Sequence, residues 1–545
     1  MKKILVLLLS CLILISSLVG CKGKVDTKEP ISEPKEEKEV VLGEPKILEF
    51  DLGEVTLPQA HGPEFPVRLH GEIGVPSGEG KHPIVFVFHG SHPVTNIEKE
   101  RYDLGFTYLI EKLAAKGYLT VSINVNAQYV LDYYGEPFQY ERLTSIFNSH
   151  LESLQKAING EDVGYGVDLT KRGDTTQVNL IGHSRSGQGI VYIYEDQVKR
   201  GNNNITSLLS LAPSLVIARD RPYPDVPMGV VLPELDGDVI QLAGQDIYEK
   251  LRFDDKRKSW ANVVYLYGAN HNFFNEELLK DDAKNAKNAK NRSDFDIRLS
   301  DIEQREFFAN YSLDFMNKVY GKKVREGFSV GENAPGKMYG FKVLTSLHKP
   351  DSLVIVRPKK ETNLSNSLGG KIVTSNIQIK NIFESSFFKE DTAGPFILPG
   401  IKKDLDLLNI SWKSKDASVG ITLPDEFKDI TGYDALSLYL AVDPSNSLNK
   451  SGENQSMSLE LVDKKGKISK VVLDANTPAL RYHPGELASN EYTSWWSTFT
   501  PLSSVRIQLD SFEDVDLKNI EKINLLFDQT PSGSIMLAEL SLMKK

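Results

Sequence analysis

One serine, two neighbouring aspartates and one histidine have the types and order that nucleophilic chemistry requires. Ser184 lies in Gly182-His183-Ser184-Arg185-Ser186-Gly187, after the apolar run TQVNLIG and before a helical pattern. A serine hydroxyl becomes a competent nucleophile when a base takes its proton, an acid orients that base and donors meet the oxyanion. A sharp strand-to-helix turn presents such a serine, and small flanking residues let strand and helix approach. The segment departs from G-x-S-x-G because Ser186 takes the place of the second glycine.

The acid and the base follow in the order this chemistry uses on a strand-helix scaffold. PELDGDV offers Asp236 and Asp238 at the end of one apolar run, and GANHNFF offers His271 at the end of the next. Asp236 is the preferred acid, because it follows the run directly and stands three before Val239, with Pro233 in the first glycine position of a G-x-x-D-x-x-V ending. Asp238 is the alternative acid. His271 is expected to act as general base, with Nε2 facing Ser184 and the other nitrogen held by the acid. Oxyanion donors are expected from the backbone N–H groups of Arg185 and Ser91, the latter in FHGSHP, where Gly90 permits the turn. His89 and His92 in the same loop also suggest a metal, but no carboxylate cluster accompanies them; neither metal nor cofactor is expected.

These residues need a scaffold that delivers strand ends to one place. From about Ile47 to Gly321, β-rich runs alternate with helical patterns: VRLHGEIGVP, PIVFVFHG, LTVSINVN, TQVNLIG, SLLSLAP, MGVVLPELDGD and ANVVYLYGANH are read as strands. LGFTYLIEKLAAKGY, RLTSIFNSHLESLQKAING and EQREFFANYSLDFMNKVYG are read as helices. Strands separated by helices imply a mostly parallel sheet covered on both faces, with reacting groups beyond the carboxyl ends of the strands. His89, Ser184, Asp236 and His271 all fall there. Residues 281–294, which repeat Ala-Lys-Asn, read either as an exposed insertion near the mouth of the site or as a short helical extension, with no chemistry of their own. Tyr129, Tyr133, Tyr134 and Phe273 are candidates for an apolar pocket or for ordinary packing.

After about Gly327 the texture changes to short strands broken by Asn, Ser, Gly, Asp and Pro, including LLNISWKS, ALSLYLAV, SMSLELVD, SVRIQLD, KINLLFDQ and SIMLAELSL. This spacing predicts an antiparallel, jelly-roll-like sandwich. Trp412 is read as core; Trp495 and Trp496 fall in a loop, where aromatic rings could stack on a glycan or pack structurally.

The N-terminus, MKKILVLLLSCLILISSLVGC, sets two lysines before an apolar run that ends in Leu18-Val19-Gly20-Cys21. This is a signal-peptide layout, and its last four residues resemble the lipobox of bacterial lipoproteins, which implies cleavage before Cys21 and lipid on that cysteine. The chain has only two cysteines, Cys11 and Cys21, so loss of the leader leaves no disulfide to form. The following Lys-, Glu- and Pro-rich stretch to residue 46 reads as a solvated tether. A formal net charge of −10 argues against nucleic acid as the main partner.

Residues from about 55 to 321 resemble the α/β-hydrolase superfamily, in particular secreted esterases and lipases of the platelet-activating-factor acetylhydrolase-like and polyester-hydrolase-like branch. The resemblance rests on FVFHGSH, LIGHSRSG, LPELDGD and YGANHNFF in that order. It implies an acyl-enzyme route in which Ser184 attacks an ester carbonyl, His271 shuttles the proton, Asp236 steadies the imidazolium and water releases the acid. The C-terminal strands resemble galactose-binding-like and carbohydrate-binding-module sandwiches. The expected organisation is a lipoprotein signal over 1–20, lipidated Cys21 and tether over 21–46, an α/β-hydrolase catalytic domain over 47–325 and an all-β sandwich over 326–545. The expected function is that of an extracytoplasmic, membrane-anchored hydrolase acting on carboxylic esters. A peptidase or amidase with the same triad, and a non-catalytic surface lipoprotein that binds glycan through the sandwich, are the alternatives.

Overall fold

The computed structural model describes residues 43–57, 64–97, 99–130, 140–214, 223–239, 242–285, 298–358, 366–382, 407–483 and 500–545. Cys21, the leader and most of the tether lie outside the described residues, as do Tyr133, Tyr134, Trp495 and Trp496.

Ten strands form the first sheet: β1 (Lys46–Leu57), β2 (Phe65–Val75), β3 (His82–Phe88), β4 (Leu119–Ile123), β5 (Gly173–His183), β6 (Ile205–Leu211), β7 (Met228–Pro233), β8 (Ala261–Leu266), β9 (Lys337–Met338) and β10 (Phe341–His348). Their spatial order is β1-β2-β4-β3-β5-β6-β7-β8-β10-β9. Pairing is parallel from β4 through β8 and antiparallel at both margins. The central strands read as continuous apolar runs because both of their faces are covered. In β3, Ile84, Phe86 and Phe88 point into one core while Val85 and Val87 point into the other.

Among the described residues, five helices cover these two faces: α1 (Thr107–Ala114), α2 (Glu141–Ile158), α3 (Arg185–Lys199), α4 (Gly244–Arg252) and α5 (Asp301–Val319). Leu109 and Leu113 of α1 share a core with Phe307, Phe308 and Phe315 of α5. Phe147 of α2, Ile190 of α3 and Ile247 of α4 belong to the opposite one. α5 starts at a capping box, in which Ser300 Oγ accepts from the Glu303 N–H at 3.2 Å and Glu303 Oε2 accepts from the Ser300 N–H at 2.8 Å.

The second half is an antiparallel sandwich. One sheet runs β13 (Ile377–Ile382), β14 (Leu407–Trp412), β21 (Gly533–Met543), β16 (Ala435–Val442) and β19 (Ser503–Gln508), with β11 (Leu353–Val356) also paired to β21. The other runs β12 (Ile372–Ser375), β15 (Ser418–Thr422), β20 (Ile520–Leu526), β17 (Met457–Asp463) and β18 (Ile468–Leu473). Trp412 is buried between the sheets and stacks on Phe527, ring centroids 4.4 Å apart. A mostly parallel α/β sheet followed by an all-β sandwich is therefore the fold class.

The structure departs from the sequence reading at the junction. β9 and β10 lie beyond residue 325, yet β10 pairs antiparallel with β8 and extends the first sheet. Its alternating pattern resembles that of the sandwich strands, and only its distant partner distinguishes it. The outer face of the six-stranded sheet is also enclosed: Leu436, Leu438 and Leu440 of β16 fill the sandwich, whereas Tyr439 and Ala441 join the core around α4. Met536 and Ala538 of β21 do the same.

Candidate active site

Ser184 sits at the corner between β5 and α3 with φ 56° and ψ −121°. Such a conformation costs a non-glycine residue about 1–3 kcal/mol and persists only where its surroundings enforce it. Here the Ser184 N–H donates to the Leu211 carbonyl at 2.9 Å, and the Ser184 carbonyl accepts from the N–H groups of Gly187 at 2.9 Å and Ser214 at 3.1 Å. A Cβ on Gly182 would stand 2.3 Å from the Ser186 carbonyl oxygen, and one on Gly187 2.9 Å from Pro213 Cβ. The two small residues are thus requirements of the turn. Although Ser184 occupies the N-cap of α3, its side chain makes no capping hydrogen bond.

Ser186, the departure from the usual pattern, has a use of its own. Its buried hydroxyl donates to the His89 carbonyl at 2.6 Å and accepts from the Tyr129 hydroxyl, also at 2.6 Å. A glycine could not tie the helix to the loop after β3 in this way. That loop passes directly over the serine: a Cβ on Gly90 would lie 2.7 Å from Ser184 Cβ and 3.2 Å from His92 Nε2. Ser91 follows in the same loop and is half-buried. Arg185 opens α3, where the first backbone N–H groups have no partner within the helix.

His89 holds the loop rather than facing a ligand. Its Nδ1 donates to the Gly90 carbonyl at 2.8 Å and its Nε2 accepts from the Val125 N–H at 2.9 Å. Burial pushes its pKa down to about 4, so the ring is neutral. Among the described residues, no group of three or more His, Cys, Asp or Glu is arranged to hold a metal ion.

Asp236 and His271, from the loops after β7 and β8, are both buried and in contact: Asp236 Oδ2 lies 3.0 Å from His271 Nδ1. The other oxygen, Oδ1, accepts from the N–H groups of Val239 at 2.6 Å and Asp238 at 3.0 Å. Asp238 is 61 % exposed and stands on the opposite side of the ring, with Oδ2 3.5 Å from Nε2. Burial opposes the charged imidazole, but the combined pull of Asp236, Asp238 and Asp282 prevails and raises the His271 pKa to about 9. Among the described residues Nε2 is buried without a hydrogen-bond partner, so the expected bond to Ser184 is not formed. His183, next to the serine, carries the contact between the two strand ends: its ring lies 4.7 Å from that of His271, and its Nε2 approaches the His271 carbonyl at 3.1 Å.

Over residues 281–294 a helical turn is present at Ala283–Asn285, but the reading of the segment as exposed is corrected. Of these, 281–285 are described, and Asp282 and Ala283 are buried rather than exposed. Asp282 accepts from three backbone N–H groups: Gly237 at 2.7 Å, His271 at 3.1 Å and Asn272 at 3.0 Å. No periodicity marks such a residue, because its partners are main-chain groups of two loops far apart in sequence. Tyr129 lies at the site through its hydroxyl on Ser186, and Phe273 is half-buried, with its N–H held by Asn270 Oδ1 at 3.0 Å.

Sheet order, crossover at β3 and β5, and polar residues gathered at the carboxyl edge define an α/β-hydrolase-type fold. No family model matches the chain, and no curated protein matches it. Similarities to solved structures are distant. An esterase of the hyperthermophilic archaeon Pyrobaculum calidifontis is 14% identical, over 50% of this chain and 85% of that one, with a TM-score of 0.31. A fungal esterase of Rhizomucor miehei is 12% identical, over 51% and 86%, with a TM-score of 0.32. A family 11 carbohydrate-binding module of a cellulosomal cellulase from Clostridium thermocellum is 11% identical, over 36% and 95%, with a TM-score of 0.21.

Proposed function

We propose that this chain is a serine hydrolase that cleaves carboxylic esters through an acyl-enzyme on Ser184. The observation that carries the reading is the strained turn presenting Ser184 at the same sheet edge as the buried Asp236–His271 pair. In this scheme, His271 Nε2 removes the hydroxyl proton as Ser184 Oγ bonds to the ester carbonyl carbon. The oxyanion is met by the N–H groups of Arg185 and Ser91. The tetrahedral intermediate then collapses, the C–O bond to the alcohol breaks, and His271 returns its proton to the leaving oxygen. Water repeats the sequence on the acyl-enzyme and releases the carboxylic acid. Asp236 holds Nδ1 and supports the imidazolium in both halves; Asp238, on the Nε2 side, is placed to modulate the base. No step calls on a cofactor.

The protein is further proposed to act outside the cytoplasm, anchored by lipid on Cys21; mass spectrometry of the mature N-terminus tests this, and an uncleaved, unmodified leader would sink it. The hydrolase reading is tested by fluorophosphonate labelling of the soluble chain beside Ser184→Ala and His271→Ala, followed by a short-to-long p-nitrophenyl ester series. Labelling that disappears in Ser184→Ala supports the reading, and a folded wild type that takes no label refutes it.

A further inference from the structure

Asp282 is a buried carboxylate, 5 % exposed, whose side-chain hydrogen bonds among the described residues go to the two loops that carry Asp236 and His271. One oxygen takes the N–H of Gly237, immediately after Asp236, together with that of His271 itself. The other takes the N–H of Asn272. The fit leaves no slack: a Cβ on Gly237 would come within 1.9 Å of the Asp282 carbonyl oxygen. Ala283 packs on Leu235, so the following residue also grips the acid loop. Asp281 braces the base loop from the other side, as its Oδ1 accepts from Asn270 Nδ2 at 2.9 Å and pairs with Arg298.

Burying a carboxylate is costly, and the three N–H bonds only partly compensate. Its pKa is accordingly raised, first by burial and then by Asp236 nearby. The His271 imidazolium lies close enough to offset part of that cost, and its backbone N–H is one of the three donors. The groups facing His271 are Asp236 and Asp238 from the loop after β7, Asp282, His183 from the end of β5 and His92 from the loop after β3. Arg185 lies across from Asp238.

We propose that Asp282 is a positioning residue for the Asp236–His271 couple: it locks the acid loop to the base loop and places a fixed negative charge behind the imidazole. This rests on the hydrolase reading for its catalytic consequence but not for its electrostatic one. An imidazole that swings between serine and leaving group must keep Nδ1 on the acid throughout, and a displacement of about 1 Å in such a couple costs about 100-fold in rate. Asp282 opposes that displacement, and its charge favours the protonated ring formed at each transition state.

The test follows the His271 ring by NMR with ¹³C-labelled histidine, assigned with His271→Gln, in the wild type and in Asp282→Asn and Asp282→Ser. Both variants should melt as cooperatively as the wild type while the His271 pKa falls by about one unit. With a labelled ester substrate, kcat should fall about 10- to 100-fold with KM changed less than about threefold. An unchanged His271 titration and an unchanged kcat would overturn the proposal. Failure of both variants to fold would also overturn it, assigning Asp282 to folding alone. The titration reads the couple whether or not esters turn over, so a wild type that takes no fluorophosphonate counts against the hydrolase reading and not against this one.

Discussion

The protonation of His271 is the first quantity that the geometry constrains. With its pKa lifted from the usual histidine range near 6.5 to about 9, the ring contributes stability that is complete below the ordinary value and is lost as pH rises through about 9. The proposed catalysis runs the other way, because only the neutral ring could take the Ser184 proton. We expect kcat/KM to climb with pH over that same interval. Asp238→Asn should move the climb to lower pH by a fraction of a unit, since a largely exposed carboxylate is well screened. A pH–rate profile that is flat from 6 to 9 in wild type would contradict this account, those limits being set by the ordinary and raised values. Ser186 makes a separate prediction. Ser186→Ala strands the buried His89 carbonyl and the Tyr129 hydroxyl, a loss of about 1–3 kcal/mol in denaturant titration. The loop bearing Ser91 should loosen with it, so kcat should fall more than the change in KM.

At the scale of elements, the strands that position the site announce themselves in sequence, and the connections between them do not. β3, β7, β8 and the second half of β5 are buried and mostly apolar because helices cover both faces of the sheet, and the turns after their carboxyl ends carry the candidate site residues. The position of Ser184, Asp236 and His271 at the carboxyl edge of the sheet could therefore be read from sequence. β1 was missed because it is an edge strand with mixed exposure, and α4 because it is short and carries charged residues. β10 was grouped with the sandwich because its partner, β8, is remote along the chain. The distinction between Asp236 and Asp238 needed geometry as well: both follow the same strand, and only coordinates show which side of the imidazole each one meets. Glycines at these crossings provide a sharp check. Gly90→Ala should place a methyl group against Ser184 and abolish labelling, while Gly182→Ala should fail at the turn itself, with overpacking costs of about 1–3 kcal/mol in thermal or chemical melts.

At the scale of the whole molecule, the sandwich is built into the body formed around the first sheet. Glu539 of β21 accepts from Arg252 of α4 at 2.7 Å and from Arg357 at 2.7 Å, and both Arg252 and Glu539 are buried. Ser346 of β10 meets Ser504 of β19 at 2.6 Å, and the Tyr267 hydroxyl meets His483 Nε2 at 2.7 Å, four residues before His271. Glu539→Ala leaves the Arg252 guanidinium buried without this carboxylate and should destabilise the protein by about 3–5 kcal/mol, readable in urea titration. A chain ending before β11 should be insoluble, because Tyr265 and the apolar surface around α4 would lose Tyr439, Ala441, Met536 and Ala538.

That shared core also has a thermodynamic reach. A core with side chains from both halves cannot melt in one half and survive in the other, so calorimetry should record one transition. Any compound that binds only the native protein stabilises everything that unfolds with its site. A reversible ligand held over Ser184 should therefore slow global-unfolding hydrogen exchange at the β14 amides around Trp412, deep in the sandwich, as much as at β5 beside the serine. The sandwich would register occupancy of a site it does not touch.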